Sequence, residues 1–301
     1  MSPWGVPNTL DALIDCPAST LTAAAIAAGV SNVSPLSPVI ITDGGNGSDS
    51  ITIRSGTSST AGVPAAISLF APNYRVKNAL GCPVVAGAPP AIAVALPSCS
   101  ITTVTNSVNN LDALGNIDSA TLTLGSNVPL SDNQLFCLGQ WNNITYGVTA
   151  NNLTSNNTPV VSDIVSIQAQ YGIAATGLLN PLPPGIIDPN FNQVIQWVDA
   201  TGATWAAPST ANRNRIKAVR IAVIARNGLM EKTNVSRACG SAVTSAAAVC
   251  AWPDLPANGN LLVSPAPVFS LNNIPNWQQY RYRVFETIIP LRNVMWSKST
   301  L

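Results

Sequence analysis

The chain has 301 residues, enough for one large domain or two ordinary ones, and its hydrophobic fraction of 47% supports a sizeable core. Only 9% of its residues are charged and its formal net charge is +1, so neutral polar residues supply most of the solvation. This composition excludes a disordered chain, and the absence of histidine excludes Ser-His-Asp, Cys-His and histidine-ligated metal chemistry.

The first predicted element is a short helix at residues 9–15, followed later by a turn rich in glycine, asparagine and aspartate at residues 43–50. The turn offers Asp43, Asn46 and Asp49 as oxygen ligands, the kind that a hard cation such as calcium prefers. It lacks the EF-hand spacing and the final bidentate glutamate. A hairpin-type turn explains the same residues without a metal, so the loop is a candidate cation site only.

Four later segments alternate in a way that predicts strands: residues 50–54, 163–173, 217–226 and 280–290. The third has the clearest pattern, because Val219 and Ile221 lie on one face and Arg220 and Ala222 on the other. Connectors rich in proline or asparagine separate these segments and are typical of surface loops. The residues therefore predict a β-rich domain with long loops and one or two short helices.

The last predicted strand concentrates charge in a chain that has little of it, and Pro290 marks the point where its ladder stops. One interpretation is that its arginines lie over the outer face of a sheet with their apolar stems packed down. The other is a subunit interface, where arginine and tyrosine are enriched. The second interpretation gives a set of candidate interface residues: Arg220, Arg226, Arg281, Arg283 and Arg292.

Charge is also divided unevenly along the whole chain. Through residue 210, three bases stand against ten acids, a balance of −7, whereas from Arg213 onward eleven bases stand against three acids, a balance of +8. Such asymmetry can mark a nucleic-acid or membrane surface, and it can equally mark two parts of one fold that attract each other or complementary faces of successive subunits. The bases are dispersed and form no stripe, so a nucleic-acid partner is not expected.

The cysteines are even in number and predict three disulfides formed in an oxidising compartment, with buried free thiols as the alternative. A preference for short loops pairs Cys239 with Cys250 and Cys82 with Cys99, which leaves Cys16 for Cys137. No CxxC occurs, so a zinc site is not expected.

Motifs for catalysis are missing as well. No SxxK, Walker A or GxGxxG sequence occurs, and Glu231 and Glu286 lie within or beside predicted strands with bases nearby. We therefore expect neither an enzyme nor a cofactor. No stretch has the eighteen or so apolar residues of a transmembrane helix, and residues 1–5 do not begin a signal peptide, so we interpret the sequence as a mature or truncated form.

Five segments resemble, in chain order, the PilW family of type IV minor pilins: NGSDSITIRSG, VVSDIVSIQAQYGI, IQWVDATGATW, NRIKAVRIAVIARNGLMEK and YRYRVFETIIPLRN. The last is the most specific, because seven of its residues match the family pattern: Arg283, Phe285, Glu286, Pro290, Leu291, Arg292 and Asn293. The family is also similar to the J-type pseudopilins of type II secretion, which are the nearest alternative. A secreted carbohydrate- or surface-binding β module, with the seven tryptophans as stacking platforms, is the other alternative.

The resemblance implies an α+β, β-rich, pilin-like head with antiparallel sheets, long loops and disulfides, without the N-terminal hydrophobic helix of the family. Residues 1–17 look like the junction just after that helix, which alone would contact the membrane. We expect a single head over 1–301, in which an acidic, variable, loop-rich part (about 1–160) and a basic, family-like β part (about 161–301) can form two lobes.

The resemblance also implies an assembly role and its partners. Proteins of this kind are assembled from the inner membrane, with the head in the periplasm, and then lie at the extracellular pilus tip. The partners implied are other minor pilins, the major pilin and a PilY-type tip adhesin, and the processes implied are adhesion, twitching motility or DNA uptake.

Overall fold

The computed structural model describes residues 20–28, 30, 37–57, 65–66, 68–70, 73–76, 82, 84, 87–129, 132, 134–175, 193–241, 245–259 and 261–291. The helix predicted at residues 9–15, Cys16 and Arg292 lie outside these ranges. Within them, no helix has the length and apolarity needed to cross a membrane.

The described residues form mainly strands, which confirms the predicted β-rich fold with antiparallel sheets. The helices are short: α1 (Ala23–Ala27), α2 (Gly202–Trp205), α3 (Thr210–Arg215) and a 3-10 turn at Trp277–Gln279. The strands in chain order are β1 (Thr20–Leu21), β2 (Val39–Thr42), β3 (Ser50–Gly56), β4 (Ala65–Ala66), β5 (Ser68–Phe70), β6 (Asn73–Val76), β7 (Ala91–Leu96), β8 (Ser100–Leu111), β9 (Ile117–Leu124), β10 (Gln134–Gly139), β11 (Trp141–Thr149), β12 (Asn152–Ser155), β13 (Thr158–Ser162), β14 (Ile164–Ile173), β15 (Gln196–Val198), β16 (Ile216–Met230), β17 (Ser236–Ala238), β18 (Ala247–Val249) and β19 (Tyr280–Pro290).

The large sheet has eight strands in the order β4-β10-β7-β8-β9-β6-β5, with β1 parallel to β8. Because successive side chains of a strand point to opposite faces, β7 contributes to two clusters. Ile92 and Val94 pack with Phe136 and with Ala25 of α1 on one face. Alanines of β7 pack with other residues on the opposite face, so the sheet is buried on both sides where β7 and β10 pair.

These two faces explain why the predicted pairing of Cys82 with Cys99 is wrong. Cys82 and Cys137 lie on the same face of the large sheet and form a disulfide, whereas Cys99 packs in the cluster on the other face. Cys99 is disulfide-bonded as well. Because Cys137 is bonded to Cys82, the predicted pairing of Cys16 with Cys137 is also wrong. The predicted pairing of Cys239 with Cys250 is confirmed.

The small sheet has five antiparallel strands in the order β13-β12-β11-β3-β2. The chain leaves it after Gly56 of β3 and returns at Trp141 of β11, and these two residues pair directly. The strands β4 to β10 of the large sheet lie between them in sequence. A side chain at position 56 would clash with the carbonyl oxygen of Leu138, so glycine permits the close contact between the two sheets.

The C-terminal sheet has four antiparallel strands in the order β15-β14-β16-β19. Strand β14 is buried along its whole length, and its Ile167 and Tyr171 pack on Ile41 and Ile51 of the small sheet. On the opposite face, Ile224 packs in a cluster formed with residues of the segment 249–274. The strands predicted at 50–54, 217–226 and 280–290 are confirmed within β3, β16 and β19, and the strand predicted at 163–173 is confirmed as β14 except for Asp163, which precedes it.

Candidate assembly surface

Strand β19 is the exposed edge of the C-terminal sheet. It pairs with β16 in continuous register from Tyr282, opposite Arg226, to Pro290, opposite Ala218. Its side chains from Arg283 onward are exposed, apart from half-buried Val284. We define the candidate assembly surface as the exposed apolar and basic residues of this strand: Arg281, Arg283, Phe285, Ile288 and Ile289.

The apolar part of this surface was not predicted from the sequence. Phe285 is 49% exposed and Ile289 is 45% exposed, and their register partners on β16 are Val223 and Val219. Ile288 lies on the other face and is 55% exposed. The signal was present in the sequence, because adjacent isoleucines put apolar groups on both faces of a strand. Exposed apolar groups on both faces of an edge strand are typical of an interaction site.

The arginines of the candidate set have different partners. Arg281 Nε donates to Glu231 at 2.9 Å, and Arg226 Nη2 donates to Asp163 at 2.9 Å. The Arg283 guanidinium lies 4.9 Å from the centre of the Phe285 ring and is in no ion pair with the residues that the structure describes. An exposed ion pair such as that of Arg281 contributes at most about 1 kcal/mol, and Arg283 has no acidic partner among the described residues. Both charges are therefore available to a partner.

Arg220 is buried in the head, with 1% of its surface exposed, and therefore does not belong to an exposed interface. Its guanidinium lies between two indole rings, 5.1 Å from Trp197 and 4.6 Å from Trp252. Nε and Nη2 both donate to Gln170 Oε1, and Nη2 also donates to the carbonyl of Pro265 at 3.2 Å. No sequence pattern indicates this burial, because Trp197 comes from another strand and Trp252 and Pro265 come from a loop later in the chain.

Burial lowers the pKa of Arg220 to about 10, against the opposing effect of Asp199 and Glu286, so the group stays charged at neutral pH. Asp199 accepts a hydrogen bond of 2.7 Å from Gln170, which in turn accepts from Arg220. Together with the ion pair of Arg226 and Asp163, this contact joins the basic part of the chain to its acidic part. Part of the opposite charge of the two parts is therefore paired within a single chain.

The turn at residues 43–50 accepts hydrogen bonds from the backbone of β14. Asp49 Oδ1 accepts from the Gly44 amide at 2.9 Å, and Oδ2 accepts from the Ala169 amide at 2.7 Å. Ser48 Oγ accepts from the Ile167 amide at 2.9 Å. Both oxygens of Asp49 are engaged by backbone donors, which favours the turn interpretation over a cation site. Among the described residues, no group of three or more acidic or cysteine side chains could hold a metal.

Burial raises the pKa of Asp49 to about 6, although the amides of Gly44 and Ala169 lower it; the charges of Asp43 and Asp199 raise it further. The ordinary value is 3.8. Between these two pH values the folded chain holds this proton and the unfolded chain releases it. The contribution of Asp49 to the free energy of unfolding is therefore greatest below the ordinary pKa and falls as the pH rises towards 6.

We expect Asp49→Asn to remove this fall, because asparagine does not titrate. The free energy of unfolding is measured by urea titration at several values between about pH 4 and pH 7, and the difference between variant and parent should rise as the pH increases towards 6. Asp112→Asn is a control of opposite sign, since the Asn116 amide lowers the pKa of Asp112 and its contribution is lost on acidification. An unchanged slope in Asp49→Asn would contradict this account.

The tryptophans of the described ranges are used in packing. Arg215 lies 5.4 Å from the Trp205 ring, and Arg220 covers one face each of Trp197 and Trp252. Trp141 and Trp277 pack against buried clusters. These contacts give no support to the alternative of a carbohydrate-binding module with free indole platforms.

One family model matches the chain, that of the Type IV Pilus-assembly protein W, over residues 131–293. The match covers more than half of the sequence and includes the strands from β10 to β19, and therefore the whole candidate assembly surface. No curated protein and no solved structure matches.

Proposed function

The chain belongs to the type IV pilus-assembly protein W family, and on this basis we propose that it is a minor pilin, a structural subunit that helps to initiate pilus assembly. Its role is to make contacts and not to catalyse a reaction. The head joins a complex of minor pilins at the extracellular tip of the pilus, after assembly from the inner membrane. Its partners are the other minor pilins, the major pilin and a PilY-type adhesin.

The observation that carries this proposal is the candidate assembly surface on β19. It lies in the part of the chain that matches the family and combines exposed Phe285, Ile288 and Ile289 with Arg283, which lacks an acidic partner among the described residues. Aromatic, aliphatic and arginine side chains in one place are the composition of protein interfaces. An arginine without an acidic partner among the described residues also supports an acidic group on the neighbouring subunit.

Charge reversal at Arg283 tests the contact. We expect Arg283→Glu to weaken binding to the purified heads of the other minor pilins by about tenfold, and to reduce the salt dependence of that binding. The measurement is titration calorimetry at two salt concentrations. Arg75→Glu is the matched control, because Arg75 is also an exposed strand arginine, on the large sheet, where it pairs with Asp118 at 2.7 Å. Equal binding by both variants, with unchanged salt dependence, would remove Arg283 from the interface.

The assembly role itself is tested in cells. Deletion of the gene should strongly reduce the number of surface pili seen by electron microscopy, and expression of the gene from a plasmid should restore it. A deletion strain with normal pili would contradict the proposed function, whichever residues the head uses for binding.

A further inference from the structure

The edges of the small sheet are protected against further strands. Strand β13 carries Pro159, which cannot donate to a ladder, and its register with β12 shifts between Leu153 and Thr154. At the other edge, the amide of Ile41 in β2 donates to the hydroxyl oxygen of Tyr171 at 2.7 Å. Proline, a bulge and a side-chain cap are all means of preventing strand addition.

The β15 edge of the C-terminal sheet is covered by another part of the chain. The amide of Leu262 donates to the carbonyl of Ile195, just before β15, at 2.8 Å, and the amide of Trp197 donates to Ser264 Oγ at 2.9 Å. The segment at 261–264 therefore occupies the position that an added strand would take on this side.

The β19 edge has none of these protections between residues 283 and 289. Its register with β16 is free of bulges from Tyr282 to Pro290, and its first proline is Pro290. Among the described residues, only β16 makes hydrogen bonds to the backbone of residues 283–289. A strand in the interior of a sheet bonds to neighbours on both sides, so half of these amides and carbonyls still face outward.

The side chains of this edge are also suited to a neighbour. Lysine or arginine on an edge strand can repel other strands, but here the two arginines, Arg281 and Arg283, lie in the first half of β19. The second half carries one charge, that of exposed Glu286, and three apolar side chains on both faces of the sheet, Phe285, Ile288 and Ile289, each about half exposed. An added strand would bury all three, and an acidic side chain beside Arg283 would find a partner.

We propose that residues 283–289 of β19 accept an extended segment of a neighbouring pilus subunit as a fifth strand of the C-terminal sheet. The backbone ladder supplies the main attraction, with apolar side chains of the incoming segment beside Phe285 and Ile289 and an acidic one beside Arg283. The identity of the neighbour as another minor pilin rests on the proposed function. The position and mode of binding rest on the edge alone.

Hydrogen–deuterium exchange of the 301-residue chain, alone and with each purified minor-pilin head, tests the mode of binding directly. In the free chain, outward amides of residues 283–289 should exchange quickly. With a binding partner they should become protected by about tenfold or more, because each enters a ladder hydrogen bond. This readout uses the unmodified chain and does not depend on the folding of a variant.

The substitution Ile288→Lys tests the same edge through a side chain and not through the backbone amides. We expect Ile288→Lys to weaken binding by about tenfold, since it replaces an apolar side chain that the added strand would bury by a lysine, which on an edge strand opposes strand addition. Val160→Lys is the matched control. Val160 is 53% exposed on β13, an edge that Pro159 already protects, so binding should change by less than about twofold.

The outcomes separate the inference from the proposed function. Binding with protection confined to other residues, or binding that Ile288→Lys leaves unchanged, overturns strand addition and leaves the assembly role intact. If no minor-pilin head binds although the deletion strain lacks pili, strand addition is again overturned and the assembly role stands. Absence of binding together with normal pili in the deletion strain overturns both.

Discussion

Replacing Arg220 with alanine is expected to lower the free energy of unfolding by about 3–5 kcal/mol, the largest effect of any single substitution considered for this chain. The guanidinium fills the space between Trp197 and Trp252 and supplies the donors for Gln170 and Pro265. Its removal leaves buried Gln170 Oε1 without the two hydrogen bonds from Arg220, opens a cavity beside Trp197 and Trp252 and ends the attraction of the cation for both rings. The carbonyl of Pro265 keeps the hydrogen bond that it accepts from Gln170 Nε2 at 3.2 Å.

The measurement is urea unfolding at neutral pH, followed by tryptophan fluorescence, which also reports the surroundings of Trp197 and Trp252. Arg220→Lys should recover only part of the loss, because an ammonium group has neither the planar shape to lie between two rings nor the fork of donors. Arg283→Ala is the control for loss of an arginine from the same sheet, and it should cost less than about 1 kcal/mol because Arg283 is exposed. Equal effects at positions 220 and 283 would show that the buried contacts are worth little.

Removal of the disulfide between Cys82 and Cys137, by changing both to alanine, is expected to cost about 4 kcal/mol. The bond closes a loop with a sequence separation of 55, and the loop-closure entropy of the unfolded chain gives a value of this size. Because the covalent link joins β10 to a segment that precedes β7, its loss frees residues far apart in sequence. Thermal unfolding under oxidising and reducing conditions would measure the effect.

The second disulfide is the matched control. Cys239 and Cys250 are separated by 11 residues, for which the same relation gives about 3 kcal/mol. We therefore expect the double alanine variant at 239 and 250 to be the milder of the two. The reverse order would mean that strain or residual structure in the unfolded chain outweighs loop length.

Strands with a clear alternation of apolar and polar residues were predicted well, because this pattern depends only on residues that are adjacent in sequence. The faces of β16 follow from adjacent residues, so the sequence alone placed Val219 and Arg220 on opposite sides. What covers each side was not predictable. The face of Arg220 is buried by Trp252 and Pro265, which follow it by 32 and 45 residues and carry no periodic signal. An arginine expected at the surface is consequently one of the most buried side chains.

The disulfide error has a similar physical origin. Loop-closure entropy describes the unfolded chain and favours Cys99 as the partner of Cys82 because it is nearer in sequence. In the folded chain the strand order determines which cysteines meet, because β10 pairs with β7 and Cys137 points to the side where Cys82 lies. Cys99 follows β7 but packs on the opposite side. Knowledge of the strand order was needed, and single-sequence patterns do not supply it.

Because Gly56 pairs with Trp141, strands β4 to β10 of the large sheet form an insertion within one ladder of the small sheet. The two points where the chain leaves and re-enters the small sheet are neighbours in one ladder, so β3 and β11 keep their register whatever connects them. Closing a longer connection costs little, since the entropy grows only with the logarithm of its length. Replacing residues 57–140 by another small domain would leave the pairs β14–β16 and β16–β19 unchanged, but it would remove β8, with which β1 pairs, and Phe136, on which Ala25 of α1 packs.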